Sequence, residues 1–305
     1  MQKPGFVGCS RRGTHCLDHT GEVRRCKIGA TGRVSDSAMT TTSRISAPAD
    51  WAAALRRERS AMLAFCEELS AAEWATPSTA TGWSVQDVVA HIGSGCHAMF
   101  GPAMIGLMSS TDIEGTNNAF VDHRRDWSAT QVLDEYRAWS GRVLAMAKIL
   151  CRTPLRAVPM PLGELGVFPM RLLLCGALTF DQHTHLRHDI APALGKAAPP
   201  TDDTRMGVVL AWMFAVLGNQ LRKARLEWMD RPIGIVLDGP GGGSWIVDRC
   251  GVERAGFREL DTWITARAVD FPEWATRRAH WSDRDVRIHG DQQYGAALLD
   301  FVNVI

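Results

Sequence analysis

No CxxC pair occurs among the eight cysteines of this chain, which stand at 9, 16, 26, 66, 96, 151, 175 and 250. That scatter excludes the usual zinc-ribbon and thioredoxin-type patterns and suits reduced thiols in a cytoplasm. Long apolar runs are also missing. The longest, such as GVVLAWMFAVLG from Gly207, fall short of the roughly 20 residues a bilayer needs. The start of the chain carries no apolar core of a secretory signal. Charge of one sign is lacking too. Thirty-four Lys and Arg against 33 Asp and Glu leave a net charge of +1, which gives no pull toward nucleic acid or an anionic membrane. Tyrosine is scarce, two residues against eleven tryptophans, so the aromatic packing has to come from Trp and Phe.

The 305 residues present favour two domains. Residues 1–45 are rich in Gly, Ser, Thr and Arg and show no apolar period, so they read as a disordered or weakly ordered extension, with Met39 a candidate initiation site. Cys9, His15, Cys16 and His19 in that stretch match no zinc spacing. From Ser46, read as a cap, Trp51, Leu55, Met62, Phe65 and Leu69 keep helical spacing. TPSTATGW is a loop. SVQDVVAHIG opens a second helix, with Ser84 and Asp87 as a capping box and Val85, Val88, Val89 and Ile92 as its apolar stripe. Further helices are expected over about 128–150, 169–190 and 203–228, which together make a bundle over residues 46–229. At Arg231 the pattern changes. IGIVLDGPGGGSWIVDR reads as a β-hairpin, DTWITARA and DVRIHG as strands, FPEWATRRA and DQQYGAALLDFVNVI as helices, giving a small α+β domain over 230–305. The glycines at 239 and 241–243 precede no helix and no Lys-Ser/Thr pair, so they read as a turn rather than a phosphate cradle.

The segment TFDQHTHLRHDIAPALG, Thr179 to Gly195, places three of the ten histidines within six residues. On a helix, Asp181 and His185 are i and i+4 and project from one face, offering a carboxylate and an imidazole to a divalent metal. His188, at i+7, falls near that face, with Asp189 beside it, while His183 falls on the far side. A third ligand must come from another helix, and His91, in the middle of a capped amphipathic helix, is the candidate. The competing reading is that each is a hydrogen-bonded core or surface residue, since polar groups facing a bundle interior need partners of some kind.

The stretch EWATPSTATGWSVQDVVAHIGSG, with Trp74, Gly82, Trp83, Ser84, Val85, Asp87, Val88, Val89, Ala90 and His91, resembles the N-terminal motif of the mycothiol-dependent maleylpyruvate isomerase family, part of the DinB-like metalloproteins. Asp181, His185, Asp189 and Ile190 resemble the second motif of that family, with one extra residue before Asp189 and Asp where the isomerases commonly have Glu. VRIHGDQQYGAALLDFVNVI resembles its C-terminal pattern.

The resemblance, over about residues 46–305, implies a DinB-like four-helix bundle followed by a sterol-carrier-like α+β domain. It implies a divalent, zinc-like ion on His91, Asp181 and His185, with mycothiol or a similar thiol as cosubstrate and a small-molecule substrate. The expected activity is a thiol-dependent isomerase or S-transferase. A non-catalytic metal-binding regulator and a metal-dependent hydrolase are the alternatives on the same fold. His188 and Arg187 are the candidate catalytic residues. His188 is a fourth ligand, a supporting group or a general base; Arg187 is an anchor for a substrate carboxylate or a solvated helix-face residue. Substrate, metal and oligomeric state stay open.

Overall fold

A computed structural model describes residues 50–304 except Phe257. The expectations for residues 1–45 and for Ser46 as a cap lie outside the described residues. The first described helix, α1 (Trp51–Glu67), is capped by Asp50, whose Oδ1 accepts from the Ala53 amide at 3.0 Å. A short turn, α2 (Ala71–Trp74), leads to α3 (Val85–Ala98). The expected capping box is present there: Ser84 Oγ accepts from the Asp87 amide, and the Asp87 carboxylate accepts from the Ser84 amide at 2.9 Å. Two helices that the sequence pattern does not announce follow, α4 (Ala103–Ser109) and α5 (Ile113–Asp122). Both lie at the surface: α4 buries no residue and α5 buries only Val121. The long α6 (Ala129–Leu150) starts at Ser128 with a capping box through Gln131.

The span 151–171 holds an unannounced hairpin, β1 (Pro159–Leu162) and β2 (Gly166–Pro169), whose four prolines and glycines disguise the strands. The histidine segment is one helical rod over 172–193, but its winding is not uniform. It runs as a π-helix over Leu172–Ala177, an α-helix α7 (Leu178–Thr184), a second π-helix over His185–Ile190, and a last turn α8 (Ala191–Ala193) ended by Gly195 at φ +61°. π-turns are rare and concentrate at functional sites. α9 (Asp203–Ala224) follows, capped by Asp202.

In the C-terminal part, β3 (Ile233–Asp238) and β4 (Gly243–Asp248) form the expected hairpin, and β5 (Gly251–Arg254), β6 (Thr262–Arg267) and β7 (Arg287–Gly290) complete a sheet of order β5-β4-β3-β6-β7. Only β3 and β6 run parallel. α10 (Phe271–Ala275) and α11 (Gln292–Phe301) are the expected helices. The glycine turn is docked: the Gly241 amide donates to Asp203 Oδ1 at 3.0 Å, at the start of α9.

The chain is therefore a helical bundle followed by a small α+β unit, as expected. The two share apolar packing. Met206, Leu210, Met213 and Leu217 of α9 are fully buried in one cluster with Ile233, Ile235 and Ile264 of the sheet and Phe271 of α10. A second cluster joins α1, α3, α6 and the end of the rod through Met62, Val88, Ile92, Tyr136, Leu186 and Ile190. α3 and α6 approach closely at Gly93, where a Cβ would sit 3.3 Å from the Tyr136 backbone. Tyr136 in turn donates to Gln182 Oε1 at 2.8 Å in the interior, fixing α6 against the rod. No single helix among the described residues is long and apolar enough to cross a membrane.

Candidate metal centre

α3 and the rod are set side by side by these apolar contacts, and His91 and the pair Asp181–His185 meet where they face each other. One ligand atom from each of the three residues lies within 4.8 Å of the others, a grouping found among the described residues. His91 and His185 are buried, and the Asp181 side chain keeps 26% of its exposure, so the cluster opens to solvent on the carboxylate side. Trp83, in the loop before α3, covers the imidazoles, with ring centroids 5.1 Å from His91 and 6.4 Å from His185. Its indole N–H is held by Asn118 Oδ1 at 3.0 Å.

The distances separate two kinds of contact. His91 Nε2 is 3.4 Å from Asp181 Oδ2, and His185 Nε2 is 3.5 Å from Asp181 Oδ1. Charge-assisted hydrogen bonds are shorter, about 2.7–2.9 Å. Tetrahedral ligands about 2.05 Å from a zinc-like ion stand about 3.3 Å apart. The other face of His185 is a tight bond: Nδ1 lies 2.6 Å from Asp189 Oδ2. Nδ1 therefore carries a proton, and Nε2 is the nitrogen that faces the cluster. His91 has no such backing; its buried Nδ1 has no hydrogen-bond partner.

Left to the protein's own charges, the site is strongly polarised. Burial opposes charge on His185, but Asp181 and Asp189 outweigh it and raise the imidazole to about 9. Burial likewise pushes the Asp181 carboxyl up, and His91 and His185 reverse this and hold it well below the usual carboxylate range. An anionic carboxylate set between two imidazole nitrogens at 3.4–3.5 Å is a donor set that fits a divalent cation.

Two residues that spacing alone does not assign complete the cluster. Asp189 is fully buried and is gripped by Arg278, from just beyond α10. Arg278 Nη2 donates to Asp189 Oδ2 at 2.7 Å and Nε to Oδ1 at 3.0 Å. Arg277, one residue earlier, has φ +58°, a conformation costly for a side-chain-bearing residue, and is held there by bonds to the Val302 and Asp300 carbonyls. The threonine-rich loop closes the assembly: Thr79 Oγ donates to the His188 carbonyl at 2.5 Å, and its amide donates to the Asp189 carbonyl at 3.3 Å. No periodicity flags Arg278; it becomes visible only when the C-terminal part packs on the rod.

His188 and Arg187 do not join the three. The wider winding from His185 onward rotates His188 off the Asp181–His185 face, contrary to the α-helical phase expected for it. Its charged surroundings are Glu273, Arg278, Asp189 and Arg187, and burial pushes it down to about 4. Arg187 does hold a carboxylate, but an internal one: its Nη1 donates to the fully buried Glu58 at 2.8 Å, with Arg205 Nη1 at 3.5 Å from the same group. His183 lies on the far side, as expected, against Thr201 Oγ at 3.1 Å.

Residues 55–173 match the family model of the mycothiol maleylpyruvate isomerase N-terminal domain. That span contains His91 and its capped helix and ends in the first turn of the rod, before Asp181 and His185. Two solved structures are similar over most of the chain: the mycothiol-dependent maleylpyruvate isomerase, with a TM-score of 0.46, and a single-substitution mutant of it, with a TM-score of 0.45. Each is 15% identical, and each alignment covers 78% of this chain and 91% of the other. No curated protein matches. The expected resemblance to that family is thus found, and it sits on the bundle.

Proposed function

We propose that this chain, whose residues 55–173 match the mycothiol maleylpyruvate isomerase N-terminal domain, is a metalloenzyme that uses a low-molecular-weight thiol to isomerise or S-alkylate a small, electron-poor substrate. Mycothiol is the thiol that the resemblance favours, and the cell interior, where such thiols are kept reduced, is the place of action. The single observation that carries the reading is the spacing of the donors. His91 Nε2, an Asp181 oxygen and His185 Nε2 stand 3.4–3.5 Å apart along the two edges that Asp181 shares, longer than charge-assisted hydrogen bonds and close to the separation of ligands around one ion.

His91, Asp181 and His185 would hold the ion. A zinc-like ion with three protein ligands keeps an open position and supplies a Lewis acid that favours a bound thiolate over the thiol. The chain's own residues do the rest. Asp189, anchored by Arg278, keeps the proton of His185 on Nδ1 and so keeps Nε2 available as a donor. Trp83 covers the imidazole side and leaves the Asp181 side open for entry. Arg187 is committed to Glu58, which leaves substrate anchoring to groups other than Arg187.

The test is titration of mycothiol into the cobalt-loaded protein. A sulfur-to-cobalt charge-transfer band is expected in the wild type and not in His91→Ala. A cobalt-loaded wild type whose spectrum is unchanged at millimolar thiol would overturn the enzyme reading and favour a closed, binding-only centre.

A further inference from the structure

A separate pair of side chains lies at the other end of the rod. Cys151 is the residue at which α6 ends, and Cys175 sits in the first π-helical turns, six positions before Asp181. Their sulfurs are 3.5 Å apart. Cys175 is fully buried, packed with Leu144, Leu174 and Leu178, whereas Cys151 is half-buried and reachable from solvent. Arg171, Asp50 and Arg156 all act on the Cys151 sulfur, the two guanidiniums favouring its thiolate and the Asp50 carboxylate opposing it.

We propose that Cys151 and Cys175 are a thiol–disulfide exchange site, in which Cys151 takes up an acidic low-molecular-weight disulfide and Cys175 resolves the adduct into an intramolecular disulfide.

The geometry gives each sulfur a different part. Only Cys151 is accessible, so it has to be the entry point, and the flanking guanidiniums favour both its thiolate and a disulfide that carries carboxylates. The contact from the Cys175 thiol, ahead of the Arg171 charge, holds Cys151 down at about 7, while the same contact and burial push Cys175 well above the ordinary thiol range. The Cys151 thiolate attacks one sulfur of the disulfide, a new S–S bond forms, and one low-molecular-weight thiolate leaves. Cys175 then attacks the Cys151 sulfur, its proton passing to the second low-molecular-weight thiolate, which leaves as the thiol. Two protein thiols are oxidised by two electrons, and one disulfide is reduced to two thiols. Closing from the 3.5 Å contact to a bond of about 2.05 Å needs movement mainly of Cys151, which lies at the end of α6 and is the less buried of the two. The product staples the end of α6 to the rod that bears Asp181 and His185.

The experiment exposes the full chain, metal-loaded, to glutathione disulfide. Remaining thiols are then blocked and non-reduced peptides mapped by mass spectrometry. In the wild type, a peptide linking 151 to 175 is expected in most chains, with the loss of both thiols to alkylation. Cys175→Ser should retain glutathione on Cys151. Cys151→Ser should slow the loss of the Cys175 thiol at least about tenfold, because its entry point is gone. The inference is overturned if 151 and 175 both stay alkylatable, whether or not other cysteines react, or if Cys175 reacts as fast in Cys151→Ser as in the wild type. Peptide mapping of the wild type decides the matter even if a variant fails to fold. Neither result depends on whether the metal centre binds thiol.

Discussion

Asp189 Oδ2 stands 2.6 Å from His185 Nδ1 and 2.7 Å from Arg278 Nη2, so one buried carboxylate joins a histidine of the bundle to an arginine of the C-terminal part. The carboxylate fixes which nitrogen of His185 is free, and the arginine fixes the carboxylate.

Asp189→Asn removes the charge while keeping the shape. Metal affinity is expected to fall about 10–100-fold, the usual effect of losing such support. Arg278→Ala should fall in the same direction, because it leaves Asp189 buried and partly unpaired. Competition with a chromogenic chelator measures both. An unchanged affinity in Asp189→Asn would separate this carboxylate from the ion.

Metal binding to the native state alone raises stability by mass action. With zinc at about a thousand times its dissociation constant, the gain is about 4 kcal/mol, on the order of 10 °C in melting temperature for a domain of this size. His91→Ala with His185→Ala should show no zinc-dependent shift and no metal by elemental analysis. Full occupancy in that double variant would remove the site.

Glu58, Arg187 and Arg205 test whether a buried ionic cluster stabilises this fold. Burial raises the Glu58 carboxyl and lowers Arg187, so each partner is shifted against its charge despite the other's attraction. Glu58→Leu alone strands Arg187 and is expected to cost about 3–5 kcal/mol, while Glu58→Leu with Arg187→Met should be near neutral. Urea unfolding of the two variants gives the comparison, and equal losses would contradict it.

Glu135 gives the pH dependence. Burial pushes its carboxyl up, but Arg124, at 2.6 Å, and His97, at 2.7 Å, outweigh it and lower it overall. A lowered carboxyl contributes stability that is complete above its unfolded value, about 4.3, and is lost as pH falls through the folded value. Glu135→Gln is expected to cost on the order of 3 kcal/mol at pH 7, with the gap to wild type narrowing below about pH 4. Urea midpoints across that range check the sign.

The sequence by itself determined what short-range physics encodes. Ser84 with Asp87 fixed the start of α3, the apolar spacing of α1 and α3 fixed their faces, and two β-rich runs around the glycine turn fixed the β3–β4 hairpin. The i,i+4 relation of Asp181 and His185 was equally local. α4 and α5 were not legible because they bury almost nothing, and β1 and β2 because proline and glycine mask their alternation.

Only the tertiary structure decided the rest. It brought His91 across to Asp181 by packing α3, α6 and the rod about Gly93 and Tyr136. It set the π-winding that turned His188 away, committed Arg187 to Glu58, and delivered Arg278 to Asp189 from 89 positions along the chain. Such contacts join residues far apart in sequence, and no local period reports which distant face will cover a given helix. The composition of the histidine segment announces a polar cluster, and long-range packing selects which of its members share it.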